Sequence, residues 1–356
     1  MSVRSVLNNF NNCLLICGVG SINYSQRNFK KSVVFYVLRC MFIFVRFYSI
    51  YFGNTWVLNG DPEMSELTSI ILISCLELYF IGNIICHFWR VFLDNQLSMV
   101  LNKLEAIHEK LIRLKVVSPM KIKISGYVIG GIIIYVKANI LAPLLWMMNQ
   151  KLEIKEMATL MVLLVCERIV LLEYMLLISY IKWMVYVINE QIPERRSCLS
   201  TFRDMYLEVL ECLHQDNTSI YGLPVIVVFI AGSVADIIGK LYNSILFPRD
   251  YITNPYLVID IIGLLTKTVN LLVLYMIGDA TEKEINRISD MLHRRSVIER
   301  NPRIKRQIKI FLLRRLHEHY NFELYGICHI NLRQLHSLSS KAIGYLVIQV
   351  LFRLNK

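Results

Sequence analysis

The sequence has few charged residues and none of the short motifs that mark a catalytic site. Charged residues make up 19% of the 356 positions, whereas a soluble domain carries about a quarter. A glycine-rich phosphate loop, a serine nucleophile elbow and an HExxH zinc motif are all missing. We therefore expect the chain not to be a soluble enzyme, nor an enzyme of any other kind.

Its nine cysteines do not form the pattern of a disulfide-stabilised or zinc-binding protein. None of them falls in a predicted outer loop, so no disulfide framework is implied. Cysteine and histidine do occur close together, but no group has the paired spacing of a zinc site. We expect no metal and no other cofactor. The close groups are Cys212 with His214, His317 with His319, and Cys328 with His329.

Long apolar segments are what the sequence has instead. Hydrophobic residues make up 55% of the chain, and several runs exceed the roughly 20 residues that cross a bilayer as a helix. The pattern predicts an all-α membrane protein with seven transmembrane helices, of which the fourth and fifth are longer than a bilayer requires. The predicted spans are residues 32–53, 66–89, 124–148, 157–189, 218–247 and 256–278, and a last span within 325–352.

The distribution of basic residues predicts how these spans are oriented. Of the 39 Lys and Arg, 25 lie on the side of the N-terminus, 5 lie on the opposite side, and the rest fall within spans. Lys and Arg favour the cytoplasmic side of a membrane. We therefore expect a cytoplasmic N-terminus and an extracellular C-terminus. Because the basic residues flank spans, the net charge of +12 favours anionic inner-leaflet lipid as a partner, and not nucleic acid.

Residues 301–335 contain apolar side chains at helical spacing with Arg and Lys between them. Such a helix either lies on the membrane surface or packs against the cytoplasmic ends of other helices. We favour packing, because the long fourth and fifth spans need a partner there. The apolar positions are Ile304, Ile308, Phe311, Leu312 and Leu316.

Several ionisable and polar residues fall inside the predicted third to sixth spans, in the outer half or near mid-depth. Such residues are costly in a membrane and are functional by default. Asp236 and Lys240 are four residues apart on one helix face, so we expect them to pair. The set predicts a ligand pocket open to the outside, and the alternative is a set of structural interhelix pairs. Its members are Lys137, Asn139, Trp146, Glu167, Arg168, Asp236, Lys240, Tyr242, Asn243 and Asp260.

The last span, which reads HSLSSKAIGYLVIQVLF, is polar at its inner end and apolar at its outer end. A lipid-facing helix would not carry the serines, Lys341 and Gln349. This pattern favours a wall shared with water, and several copies of such a helix around an axis would form a pore.

The topology over the whole chain resembles that of the insect gustatory receptors, within the insect chemoreceptor superfamily. Members of that family tend to read Thr-Tyr, five apolar residues and Gln-Phe in the last helix. Here residues 344–352 read GYLVIQVLF, so Tyr345 and Phe352 fit. Gly344 replaces the Thr and Leu351 replaces the Gln, while a Gln occurs two places early at position 349.

The resemblance implies a taste receptor that is a ligand-gated, non-selective cation channel. It implies a homo- or heterotetramer in the plasma membrane of chemosensory neurons, opened by a small tastant. The expected organisation is a cytoplasmic N-terminus (1–31), six spans with the pocket (32–278), cytoplasmic anchor helices (279–335) and a pore helix (336–352). The residues expected to line or gate the pore are Lys341, Tyr345, Ile348, Leu351 and Phe352.

Lys341 lies seven residues before Ile348 and so shares its helix face. A ring of lysines opposes cation flow unless the mouth is wide and wet. The alternative is that this subunit conducts poorly alone and works in a mixed tetramer. Gln349 is turned about 100° from Ile348 and is expected to face a neighbouring helix.

Two other classes of membrane protein compete with the channel. A G-protein-coupled receptor needs the opposite orientation, and its acidic-Arg-aromatic and NPxxY motifs are missing at the expected places. A transporter of small solutes usually shows internal repeats, and none is evident. Whether the ligand is a bitter compound, an amine or a sugar stays open.

Overall fold

A computed structural model describes residues 92–114, 154–194, 199–246, 257–317 and 320–354. It also describes ten single positions, namely 11, 33, 34, 36, 37, 40, 41, 44, 85 and 89. Apart from single positions, the first three predicted spans lie outside the described residues.

The described chain is almost entirely helical. Between α3 and α4 it stays helical through two π-helical segments, Asp216–Ile220 and Val225–Ala231, with the turn Gly222–Pro224 between them. Two short strands, β1 (Glu323–Leu324) and β2 (Cys328–His329), form an antiparallel hairpin. The helices are α1 (Asp94–Arg113), α2 (Ile154–Glu194), α3 (Leu199–Gln215), α4 (Gly232–Leu246), α5 (Leu257–Asn286), α6 (Ile288–Ile298), α7 (Pro302–His317) and α8 (Leu332–Leu354).

The fourth and fifth predicted spans continue far beyond the length of a bilayer. Helix α2 has 41 residues and is therefore about 60 Å long, roughly twice the hydrocarbon thickness. Between these two predicted spans the chain is also largely helical: α2 continues to Glu194 and α3 begins at Leu199. The reason is that apolar side chains recur at helical spacing there and are buried. They are Phe202, Met205, Tyr206, Val209, Cys212 and Leu213.

Helix α2 lies at the centre of the described core. Its residues Leu171, Ile178 and Ile188 are at most 1% exposed and belong to the same cluster as Leu104 of α1 and Val209 of α3. A helix that is apolar around most of its circumference must be covered on most sides. Helices α3, α5 and α6 provide most of this cover, and α1 contacts α2 through His108.

Helix α7 packs against the far end of α2. Ile308 is fully buried, and with Phe311 it lies beside Ile192 and Leu292, where α2 and α6 meet. Ile304 and Leu312 also pack against the core. The packing alternative for this basic helix is therefore confirmed over the membrane-surface alternative, and α7 is tied to the end of α2 that is remote from Ile154.

Two described stretches are long and apolar enough to cross a membrane, and they differ in burial. Val170–Pro193 within α2 is mostly buried, whereas in Leu332–Phe352 within α8 Leu346 is the one buried residue. The apolar surface of α8 is thus uncovered in the single chain.

An aromatic contact joins α1 to α2 through His108. Its ring centroid lies 5.6 Å from that of Trp183 and 6.2 Å from that of Tyr180, and His108 is only 8% exposed. Burial holds the pKa of His108 below its usual value, although the neighbouring carboxylate of Glu109 partly offsets this.

Acidification should therefore weaken the packing of α1 on α2. The folded protein binds fewer protons at His108 than the unfolded chain does, so its stability is fully present above about pH 6.5 and falls as the pH drops below that value. When the pH is lowered from 7.5 to 5.5, the melting temperature in detergent should fall less for His108→Phe than for the unmodified protein. The exposed His214→Phe is the control. An equal fall in melting temperature in all three proteins would show that His108 is not the group that makes the packing sensitive to pH.

Candidate functional site

The structure describes part of the predicted ligand pocket. Lys137, Asn139 and Trp146 lie outside the described residues. Glu167, Asn243 and Asp260 lie on described helices, but their side chains are outside the description. The remaining four, Arg168, Asp236, Lys240 and Tyr242, have described side chains.

Asp236 joins α4 to α5 through an ion pair. Its Oδ2 lies 2.8 Å from Nζ of Lys267 on α5 and 3.6 Å from Nζ of Lys240 on α4, and the three side chains are about three-quarters buried or more. Lys240 thus pairs with Asp236 as expected, but Lys267 is the closer partner. Spacing along one helix could identify the first contact and not the second, which depends on how two helices face each other.

Arg168 and Tyr242 are both buried. Arg168 of α2 is 7% exposed and Tyr242 of α4 is 1% exposed. Among the described residues, the Tyr242 hydroxyl has no hydrogen-bond partner. A buried hydroxyl of this kind carries a desolvation cost that a bound polar molecule would relieve.

Breaking the Asp236–Lys267 pair should destabilise the protein more than removing both partners. Asp236→Ala leaves Lys267 without its closest carboxylate, and we expect a cost of about 1–3 kcal/mol after discounting for the partial exposure of both side chains. The double variant Asp236→Ala with Lys267→Ala removes both charges and should recover part of that loss. The measurement is surface expression together with melting temperature in detergent.

Asp279→Ala is a matched control, because Asp279 pairs with Lys283 within one helix and Lys283 is largely exposed. If Asp236→Ala and the double variant both melt at the temperature of the parent, the pair does not hold the two helices together.

The predicted pore face of α8 is uncovered in the single chain. Tyr345, Ile348 and Leu351 are each more than half exposed, whereas Leu346 is 8% exposed, and α8 packs against α4 and α5. Phe352 at the outer end and Lys341 at the inner end are also exposed. Gln349 is partly buried, about 100° around the helix from Ile348.

Sequence reasoning missed a second set of contacts at the start of α8. Residues 320–331 form a hairpin that bonds to α5 and to the first π-helical segment. The only signal was the Tyr325-Gly326 pair, which suits a tight turn. Residues 301–335 were expected to form one helix, but α7 ends at His317 and the hairpin follows.

Comparison with known proteins gives the family and the fold. Residues 11–355 match the family model described as 7tm chemosensory receptor. No curated protein matches the sequence.

The structure is similar to that of the insect olfactory receptor OR5 from Machilis hrabei, with a TM-score of 0.74, 13% identity and 98% of each chain covered. The structure of the same receptor in complex with eugenol gives a TM-score of 0.73 and 12% identity, again with 98% of each chain covered. At this identity the likeness establishes the seven-helix membrane fold.

Proposed function

The chain belongs to the 7tm chemosensory receptor family, and from that membership we propose that it is a ligand-gated, non-selective cation channel. It is a membrane protein with seven transmembrane helices. The observation that carries the proposal is the uncovered face of α8. On this face the exposed Lys341 lies at the inner end, and the exposed apolar side chains of Ile348 and Leu351 lie toward the outer end. A helix of this kind needs neighbours on that face, and further copies of the chain would supply them.

We propose that four subunits, of this chain alone or with related receptors, bring four copies of α8 around one axis. Ile348 and Leu351 then form apolar rings that exclude water in the closed state, and such constrictions gate by dewetting. Tyr345 and Phe352 line the same wall, and Lys341 lies at the cytoplasmic mouth. The lysine ring would reduce cation flow, which favours partner subunits that lack it.

The ligand site is proposed between the outer halves of the spans. Asp236, Lys240 and Lys267 offer charge there, and the Tyr242 hydroxyl offers a donor without a described partner. A small organic molecule with an acceptor group suits this arrangement. The other residues of the proposed ligand site are Lys137, Asn139, Trp146, Glu167, Arg168, Asn243 and Asp260.

Taste is the proposed modality, in the plasma membrane of chemosensory neurons. Tyr345 and Phe352 support it, because they keep the last-helix pattern of gustatory receptors. Smell is the second candidate, because the similar structures are those of an olfactory receptor, one of them in complex with eugenol. A ligand panel should therefore include eugenol beside sugars, amines and bitter compounds.

Whole-cell recording tests the proposed function. Cells expressing the chain, alone and with related receptors, should carry an inward current when a panel compound is applied. The current should pass Na⁺, K⁺ and Ca²⁺ and should disappear when the external cations are replaced by a large organic cation. A protein that reaches the surface in every combination and never conducts would overturn the proposal.

The orientation of the chain gives a separate prediction. The count of 25 basic residues on one side against 5 on the other places the N-terminus in the cytoplasm. An epitope at Met1 should stain only after permeabilisation, and one at Lys356 should stain without it. Asn217 begins an N-x-[ST] sequon but is 1% exposed, so it should carry no glycan. Staining at Met1 without permeabilisation would instead support a G-protein-coupled receptor, which has the opposite orientation.

A further inference from the structure

The segment that joins α7 to α8, residues 320–331, is held to α5 through its backbone. We call this segment the linker hairpin. The side chain of Asn286 accepts from the Tyr320 amide at 3.1 Å and donates to the Tyr320 carbonyl at 2.9 Å. The Phe322 amide donates to Oε2 of Glu282 at 3.0 Å. Two residues of α5 thus fix the start of the hairpin.

The tip of the linker hairpin is held by Asn217 in the first π-helical segment. The Tyr325 amide donates to the Asn217 carbonyl at 2.8 Å, and the Tyr174 hydroxyl of α2 donates to Oδ1 of Asn217 at 2.9 Å. Asn217 is 1% exposed. One buried residue therefore connects α2, the fifth-span helix and the hairpin, at a π-helical distortion of the kind that is frequent at functional sites.

The turn of the hairpin has an uncommon backbone. Tyr325 has φ of 53° and Gly326 has φ of 67°, and the Ile327 amide closes the turn on the Leu324 carbonyl at 3.0 Å. A bulky residue with positive φ is strained, and such strain persists only where surrounding contacts maintain it. Here it presents the Tyr325 amide to Asn217.

Two glycines allow the backbone to pack closely around the hairpin. A Cβ at Gly278 of α5 would collide with the carbonyl oxygen of Ile330, and one at Gly222 would collide with the carbonyl oxygen of Asn217 and crowd Tyr325. Ile330 is fully buried. The close approach therefore depends on the absence of side chains at these two positions.

Helix α8 begins immediately after the hairpin, without a free connection. Oδ1 of Asn331 accepts from the Gln334 amide at 2.9 Å and so caps the first turn, and α8 starts at Leu332. A displacement of the hairpin would therefore move the first turn of α8 directly.

We propose that Asn217 and Gly278 are positioning residues that hold the linker hairpin against the fifth and sixth spans and thereby keep α8 in its closed placement. The proposal rests on the proposed function of α8 as the pore helix. Loosening either contact frees the base of α8 and raises opening without ligand. Among the described residues, no contact found for Asn217 or Gly278 involves the predicted pore face or the predicted pocket.

The test measures access to one pore position in the absence of ligand. The parent protein carries Ile348→Cys, and the probe is a water-soluble methanethiosulfonate reagent applied from outside. Asn217→Ala keeps the carbonyl that accepts from Tyr325 but removes the Oδ1 that accepts from Tyr174, so α2 no longer holds that carbonyl in place. Adding it should raise the modification rate at position 348 roughly five-fold or more, the shift expected for a lost buried hydrogen bond. Ligand-independent current should rise with it.

Asn189→Ala is the matched control for Asn217→Ala. Asn189 is fully buried and also crosses between helices, since its Nδ2 donates to the carbonyl of Glu284 at 2.9 Å, but this contact is not with the linker hairpin. A general loss of stability would act through both asparagines. The proposal expects the Asn189→Ala rate to stay close to that of the parent.

Two glycine variants repeat the test by adding a side-chain atom instead of removing side-chain atoms. Gly278→Ala adds a Cβ that displaces Ile330, whereas a Cβ at Gly239 of α4 meets nothing within 4 Å. The rate at position 348 should rise in Gly278→Ala and not in Gly239→Ala. If Asn217→Ala fails to reach the surface, Tyr174→Phe removes the same hydrogen bond from the donor side and should also raise the rate.

The outcomes separate the two proposals. A raised rate in Asn217→Ala and Gly278→Ala, with unchanged controls, supports the positioning role. One common rate in all five proteins overturns the positioning role and leaves the pore assignment intact. A cysteine at 348 that never reacts in any surface-expressed protein overturns the pore assignment itself.

Discussion

Replacing Arg295 with alanine is expected to destabilise the protein strongly, because it removes a guanidinium that is almost fully buried and paired. Arg295 lies on α6 and its side chain is only 2% exposed. Its Nη1 donates to the carbonyl of Ile192 at 2.9 Å, and its Nη2 donates to Oε2 of Glu299 at 3.1 Å. The guanidinium thus satisfies a carbonyl at the end of α2, where no further helical turn can do so.

Glu299 is held ionised in this arrangement. The Asn301 amide donates to its Oε1, and the Arg295 guanidinium also keeps the pKa of Glu299 below its usual value. In Arg295→Ala the carboxylate and the α2 carbonyl both lose their charged donor. We expect the melting temperature in detergent to fall by roughly 5–10 °C.

Arg294→Ala is the control, because Arg294 is the adjacent residue on the same helix and is exposed. It should melt within a degree or two of the parent. Equal melting of the two variants would show that the end of α2 does not depend on the buried guanidinium. Arg295→Lys should fall between them, since an ammonium group cannot reproduce the planar fork.

Replacing Ile348 with serine is expected to produce a current that needs no ligand. Ile348 is 52% exposed in the single chain, on the face assigned to the pore. A ring of serines would hold water where a ring of isoleucines excludes it, so the dewetted gate would conduct. The measurement is holding current in ligand-free solution, normalised to surface protein, with an increase of roughly ten-fold or more expected for a lost barrier of about 1.4 kcal/mol.

Val350→Ser is the matched control for Ile348→Ser, because Val350 lies two residues along the same helix and is only partly exposed, on a different side. Serine at that position should leave the ligand-free current unchanged. If the two serine variants conduct alike, general weakening of α8 and not wetting of the gate explains the current.

The class of protein and the course of the later helices could be predicted from sequence because both depend on simple patterns. Apolar length predicted spans, and the positions of Ile304 and Ile308 predicted the packed face of α7, which the structure confirms. The extent of α2 and α3 was underestimated, because a hydropathy reading stops where polar residues begin. Residues such as Glu190 lie on the exposed side of a helix that continues.

The contacts between helices could not be predicted in the same way. Nothing in the spacing of Lys267 indicates that it meets Asp236, and nothing around Asn217 indicates a bond to the Tyr325 amide. Both depend on which faces of distant segments meet. The linker hairpin was missed because its strands have two residues each, too short for a period-two pattern.

The central claim is that α8 lines a cation pore, and scanning cysteines through residues 344–352 tests it most directly. Each variant with one introduced cysteine is exposed to the water-soluble thiol reagent while its current is recorded. The account predicts fast modification at 348 and 351, which are about half exposed, and slow modification at 346, which is 8% exposed, and at 350. Reactivity that follows Gln349, or no reaction at any position in a conducting channel, would contradict it.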